Sequence, residues 1–361
     1  MTRPIIALLG REDEPTDAVE EYCRYLATAL EDRDFAMKIR RVPWEKHGWG
    51  QALNALELQA ADWRGNWVLV QYTALAWSSR GFSQKFIRVL RVLKKAGARV
   101  ALVFHDVEPY PGSRVMDLIR RSAQLRTMRT ALSIADAGIF TVALDRISWL
   151  SKEQPKTHFI PVGPNLPIPE NAPARRAPTD LPAIAVFSIT GGQAGERETR
   201  TIVTAVRHAA EKLGKLRLSV FGRNAELRET ELRSGLQSVP VEISVDGVIE
   251  PKQVVEKLRA CDVLLFVRGA ISSRRGSAIA GIACGLPVIA YSGSETGVPT
   301  TDAGVVLVSP DQPDGLSSAL VRVLSDADYR TELAARSRAA YQTHFAWSAI
   351  AARFSAFLNT R

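Results

Sequence analysis

Residues 261–297 read CDVLLFVRGAISSRRGSAIAGIACGLPVIAYSGSETG, and they restrict the fold more than any other stretch. They hold two apolar runs of strand length, Val263-Leu264-Leu265-Phe266-Val267 and Pro287-Val288-Ile289-Ala290-Tyr291. Unbroken apolar strands belong to a parallel sheet that is covered on both faces. Small, helix-compatible residues fill 277–284 between them. Gly285 can take a positive φ past a helix end and Pro287 blocks continuation, so the pattern predicts strand, loop, helix, strand. The loop after the first strand then lies at the carboxyl edge of the sheet, where open α/β folds bind ligands. Arg268, Ser272, Ser273, Arg274, Arg275, Gly276 and Ser277 crowd the start of that helix. Helix starts offer N–H groups and partial positive charge, so added guanidinium and hydroxyl groups make a diphosphate seat. A solvated basic loop, with Ser272 or Ser273 as helix N-cap, is the other reading.

The same alternation runs through the whole chain. Residues 4–9 form an apolar strand ending at Gly10, and Thr16 or Asp17 can cap a helix carrying Val19, Tyr22, Cys23, Leu26 and Leu30 at three- and four-residue intervals. Further strands are predicted at 37–42, 66–72, 99–104, 137–142 and 158–162, with helices at 83–96 and 113–135; 44–49 reads as a loop. A stretch with Pro169, Pro173, Pro178 and Arg175-Arg176 reads as a linker. A second set follows, with strands at 183–188, 216–221, 241–245 and 305–308 beside the two already named. Its helices are predicted at 197–213, 251–260, 313–324, 329–343 and 347–358. The fold class is therefore α/β: two Rossmann-like, doubly wound domains. They are assigned to 1–165 and 183–343, joined by 166–182, with 344–361 expected to pack back on the first domain. Two such domains set two ligand edges facing across a cleft, a frequent small-molecule site. The first strand–loop–helix lacks GxGxxG, so no dinucleotide fingerprint is present.

At 361 residues the chain can bury two cores. No apolar run approaches the roughly 18–20 residues that cross a bilayer. The start, MTRPIIALLG, passes directly into a strand and lacks a signal-peptide cleavage region. Three cysteines, Cys23, Cys261 and Cys284, without CxxC spacing argue against a disulfide framework or a zinc site and fit a reducing cytoplasm. The net charge is +9, and residues 80–129 alone hold twelve Lys and Arg against Asp106, Glu108 and Asp117. Such a patch suits an anionic membrane surface or nucleic acid, although many basic residues are simply solvated. The 83–96 helix, with Phe86, Leu90 and Leu93 on one face and five cations elsewhere, can pack on the sheet or lie at a membrane interface. No RNA or DNA module motif is visible.

The segment GIACGLPVIA at 281–290 is similar to the Ala-Cys-Gly-Leu-Pro-Val-Ile-Ala segment of the GT-B glycosyltransferases, and more closely of the retaining family 4 (group 1) type. LSVFGR at 218–223, VDGVIEPKQVVEKLRACDVLLF at 245–266, IPVGPNLP at 160–167 and HFAWSAIA at 344–351 fall in that family's order, so the resemblance covers essentially the whole chain. It implies transfer of a sugar from a nucleotide diphosphate donor to a saccharide or lipid-linked acceptor in envelope or exopolysaccharide assembly. It also implies retention and no cofactor beyond the donor as co-substrate. A nucleotide-sugar 2-epimerase or a non-catalytic transferase-like subunit are the alternatives. The family's Glu-x7-Glu pair is replaced here by Ser272 and Ala280.

By resemblance, His105 in VFHD stands near the transferred sugar, and Arg197 and Arg200 in SITGGQAGERETR match the cations that support the departing diphosphate. Gly191 and Gly192 would let phosphate oxygens approach backbone N–H groups. Gly10 resembles the family's first-loop glycine, Arg223 and Val248 would flank the base, and Glu295 would reach the cleft. Gln71, Tyr72 and Arg80 belong to the acceptor side by position. No Asp-x-Asp motif supports a metal, and the expected location is the cytoplasm, at the inner face of the membrane.

Overall fold

Strand–helix alternation builds both halves of the chain. The structure, a computed structural model, describes residues 2–14, 16–151, 156–169 and 181–359. Two compact units emerge, Met1–Pro161 with Trp347–Arg361, and Val162–Ala346. The residues read as a linker lie mostly at 170–180, outside the described residues.

The first unit begins with β1 (Arg3–Leu9), α1 (Ala18–Glu31), β2 (Phe35–Arg41), α2 (Trp44–Ala60) and β3 (Trp67–Tyr72). It continues with α3 (Phe86–Lys95), β4 (Arg99–Phe104), α4 (Val115–Ile134), β5 (Ala137–Phe140) and β6 (Thr157–Phe159). Its sheet is parallel throughout, in the order β2-β1-β3-β4-β5-β6. Side chains alternate between faces along a strand. Ile6, Leu8, Val68, Val70, Val100 and Leu102 pack with residues of α2, α3 and α4. The alternate set, Ile5, Ala7, Leu69, Ala101 and Val103, is also buried. On that side Trp67 meets Phe357 of the terminal helix α11 (Trp347–Leu358), their rings 4.8 Å apart. Helix α11 also packs on α1, which Asp17 caps by accepting from the amides of Val19 and Glu20.

The second unit runs through β7 (Ala183–Phe187), α5 (Gly192–Leu213), β8 (Leu216–Phe221), α6 (Glu229–Leu236), β9 (Val241–Asp246) and α7 (Pro251–Arg259). Then come β10 (Val263–Ala270), α8 (Gly276–Ala283), β11 (Val288–Tyr291), β12 (Val305–Val308), α9 (Gly315–Ser325) and α10 (Ala327–Ala340). Its parallel sheet has the order β12-β11-β10-β7-β8-β9. Ile184, Val186, Leu218, Val220, Val263 and Leu265 share a core with α5, α6 and α9. Helix α8 covers the opposite face so closely that a Cβ on Gly281 would stand 2.5 Å from Leu264. Gly285 takes φ +75°, the left-handed stop expected after α8.

One expectation changes, one helix is added and one alternative is decided. Residues 44–49 are not a loop but the start of α2, which is kinked at Gly48 (φ +74°). Helix α6 went unread, because its eight residues hold three charges and only one apolar pair, Leu232 and Leu236, too short a run to show a period. The apolar face of α3 (Phe86, Val89, Leu90, Leu93) lies in the core, so that face meets protein and not lipid. Among the described residues no helix is long and apolar enough to cross a membrane.

Candidate functional site

Each sheet reverses its winding once, and crevices open at such switch points beyond the carboxyl ends of the strands. In the first unit the reversal lies between β1 and β3. A hollow of about 240 Å³ opens there, lined among others by Gly10, Arg11, Asp17, Gln71, Thr73 and Asp106. Gly10 cannot carry a side chain, because a Cβ would stand 2.1 Å from the Ala76 carbonyl oxygen. Asp106 accepts from the Ala74 amide at 2.9 Å. His105 is held beside the hollow: one ring nitrogen is 2.8 Å from the Gln71 side-chain oxygen, and its ring meets Tyr22 edge-on at 5.0 Å.

In the second unit the reversal lies between β7 and β10. These strands pair at Ile184–Val263 and Ala185–Leu264. The loop after β7 is tied from several sides. Ser188 donates to Phe221, Ile189 to Arg223, and Thr190 to the Glu198 carboxylate at 2.7 Å. Asn224, at φ +61°, donates its side-chain amide to the Ile189 carbonyl at 3.0 Å. Gly191 and Gly192 are exposed where α5 begins, and Gly191 occupies the N-cap. Gly195 brings the helix against the loop, since a Cβ there would stand 2.0 Å from the Thr190 carbonyl oxygen.

Next to this loop stands Arg268, on the carboxyl half of β10. Burial lowers its pKa, the neighbouring Arg223 lowers it further, and the Glu198 carboxylate opposes both. Its Nε is buried without a hydrogen-bond partner. The α8 loop then contributes a second group. Arg274 grips Glu295 with two bonds of 2.7 and 2.8 Å, and the Ser272 hydroxyl donates to the same carboxylate at 3.2 Å. Burial alone pushes the Glu295 carboxyl up, but Arg274, with Arg275 and Ser272, pulls it below its ordinary value. Arg275 reaches back toward Gly269, 3.9 Å from where a Cβ would lie, and holds the α8 N-cap position in place of a serine.

The structure thus brings Gly191, Gly192 and Arg223 together at the loop after β7, and Ser272, Arg274, Arg275 and Glu295 together at the loop before α8. Ser273 is buried and its carbonyl accepts from Val162. Gly276 and Ser277 open α8, and Gly276 is exposed. Arg197 and Arg200 are exposed on α5, and Arg200 lines a surface hollow with Val203 and Ser234, toward α6. Val248 is half exposed in the loop after β9. Glu198 and Asn224 were not singled out from the sequence. Asn224 stands two residues past Gly222, which follows β8, and that is its local hint; Glu198, already inside α5, has none. Among the described residues no group of three or more His, Cys, Asp or Glu gathers to hold a metal.

Residues 186–326 match the family model described as glycosyl transferases group 1. That span carries the loop after β7, Arg223, Arg268 and the α8 loop. No curated protein matches the chain. Solved structures share its fold along nearly the full length. Alr3699/HepE of Anabaena, in complex with UDP and glucose, is 14% identical, with 99% of each chain covered and a TM-score of 0.67. A glycosyltransferase from Rickettsia africae is 13% identical, with coverage of 99% and 98% and a TM-score of 0.69. The α,α-trehalose 6-phosphate synthase of Burkholderia multivorans is 13% identical, with coverage of 99% and 96% and a TM-score of 0.61.

Proposed function

We propose that this chain is a glycosyltransferase that moves a sugar from a nucleotide diphosphate sugar to a saccharide or lipid-linked acceptor. The observation that carries the reading is the group 1 match laid over a guanidinium-rich switch point. Alr3699/HepE was crystallised with UDP and glucose, which makes a uridine donor the first to try. The second unit takes the donor. Its glycine loop and the start of α5 meet the diphosphate, and guanidinium charge stabilises it as it departs. The first unit takes the acceptor at the hollow beside Gly10, with His105 oriented by Gln71 next to the transferred sugar. Transfer proceeds with retention, in envelope or exopolysaccharide assembly, without a metal or a cofactor. Incubation with UDP-glucose, UDP-N-acetylglucosamine, GDP-mannose and ADP-glucose, read as release of nucleoside diphosphate, tests the reading. Release with one donor is expected; silence with all of them, together with no binding of any, overturns it.

The acceptor side works against an anionic bilayer at the cytoplasmic face. The support is α4, where Val115, Met116, Leu118 and Ile119 are 50–73% exposed in consecutive turns. Arg114 and Arg121, also exposed, flank them. Apolar side chains rimmed by guanidinium groups match the boundary between acyl chains and acidic headgroups. Cosedimentation with phosphatidylglycerol vesicles at low salt should occur, and Leu118→Asp with Ile119→Asp should abolish it. Equal sedimentation of the double variant would remove the bilayer from the proposal.

A further inference from the structure

We infer that Arg268 is a donor-binding residue, and that with Arg223 it holds the diphosphate from the β10 side of the crevice, so that this protein recognises its donor mainly by charge. The inference rests on the proposed function and assigns the cation that acts at that site. Three observations carry it.

The first is position. Arg268 lies on the carboxyl half of β10, one of the two strands between which the winding reverses. The glycine loop is on the other strand of that pair. Arg200, by contrast, lines a hollow toward α6.

The second is the state of the side chain. A buried guanidinium nitrogen without a hydrogen-bond partner is costly, and a ligand oxygen that accepts from it removes the cost. Arg268 has such a nitrogen. The nearby carboxylate, Glu198, is itself buried and already accepts from the Thr190 amide, so it fixes the glycine loop while balancing part of the charge.

The third is the sum of charges around the crevice. Arg268 lies near Arg223 and Glu198, and Glu295 lies near Arg274 and Arg275. Four guanidinium groups against two carboxylates leave an excess of two positive charges. The diphosphate of a nucleotide sugar carries roughly two negative charges at neutral pH, and planar guanidinium forks match phosphate oxygens. Arg274 is engaged with Glu295 through two bonds, whereas Arg268 keeps a buried Nε without a hydrogen-bond partner.

Isothermal titration with UDP, GDP, ADP, uridine and inorganic pyrophosphate tests the assignment, on the wild-type chain and on Arg268→Gln and Arg268→Lys. Wild type should bind UDP and pyrophosphate measurably and uridine far more weakly. Arg268→Gln should weaken UDP about tenfold to a hundredfold, the worth of a hydrogen bond to a charged group. The same factor should apply to GDP or ADP if they bind, because the contact is to the shared diphosphate. Arg268→Lys, which keeps the charge and loses the fork, should fall between, and it serves as the folded control if the glutamine variant melts early. Wild-type affinity for UDP in either variant overturns the assignment while leaving the transferase reading intact. Absence of binding of every diphosphate to the wild-type chain overturns both.

Discussion

Arg274→Ala would leave the Glu295 carboxylate in its half-buried place with its principal partner gone. The pair is bidentate, at 2.7 and 2.8 Å, and the two side chains are only 21% and 13% exposed. An exposed pair contributes about 0–1 kcal/mol, and breaking a fully buried one costs about 3–5 kcal/mol. Arg275 and the Ser272 hydroxyl still face the carboxylate in the variant. A loss of about 2–3 kcal/mol at pH 7 is the expected middle value. For a unit of this size it amounts to a fall in Tm of roughly 5–10 °C. The effect depends on pH with a definite sign. In the wild type the Glu295 pKa is depressed below 4.5, so its stabilisation is complete above that value and fades as pH falls through the folded pKa. In the variant, burial acts with less opposition, so the carboxyl protonates earlier and the penalty disappears on acidification. The Tm gap between wild type and Arg274→Ala should therefore be wide at pH 7 and close between about pH 5 and pH 3. Calorimetry across that range is the assay, with Arg274→Ala/Glu295→Ala as the second arm. The double variant should recover about half of the loss, since no buried charge remains. A gap that is the same at pH 4 and pH 7, or a double variant that loses the sum of both singles, would refute the reasoning.

Three further outcomes follow from the geometry. Gly195→Ala places a Cβ 2.0 Å from the Thr190 carbonyl oxygen, so the glycine loop must shift; nucleoside diphosphate binding should weaken at least about tenfold by titration, a free-energy change of about 1.4 kcal/mol. Phe354→Ala empties a fully buried position on α11 and should cost about 3–5 kcal/mol in denaturant unfolding; a loss under about 1 kcal/mol would mean that α11 is not integral to the first unit. If guanidinium groups rather than a metal ion balance the diphosphate, as proposed, transferase activity in EDTA should equal that in magnesium; loss of turnover in EDTA that is restored by magnesium would contradict that balance.

The strands were legible because buried parallel strands must be apolar on both faces, and runs such as 99–104, 216–221 and 305–308 coincide with the observed elements. Helix α2 was not, because Gly48 and Gly50 and two tryptophans near its start mimic a loop. Serine hydroxyls near a helix start suggest a cap, yet Ser272 is turned to Glu295 and Arg275 takes the N-cap position. That exchange involves residues 23 positions apart, beyond any local rule.

The sequence by itself determined that the chain is α/β with two alternating sets of elements, because apolar periodicity and glycine and proline placement act within a few residues. It also marked the α8 loop as basic. Which basic groups stand at the crevice was decided only by tertiary structure. In ERETR at 196–200 nothing distinguishes Glu198 from its neighbours, yet the turn of α5 buries it against the glycine loop and leaves Arg197 and Arg200 in solvent. The sequence groups Arg268 with the loop before α8, yet it lies on β10, and the parallel order β10-β7-β8 sets it near Glu198 and Arg223. Charge at a distance depends on which strand ends are neighbours, and strand order is set by packing of the whole sheet, not by any one segment.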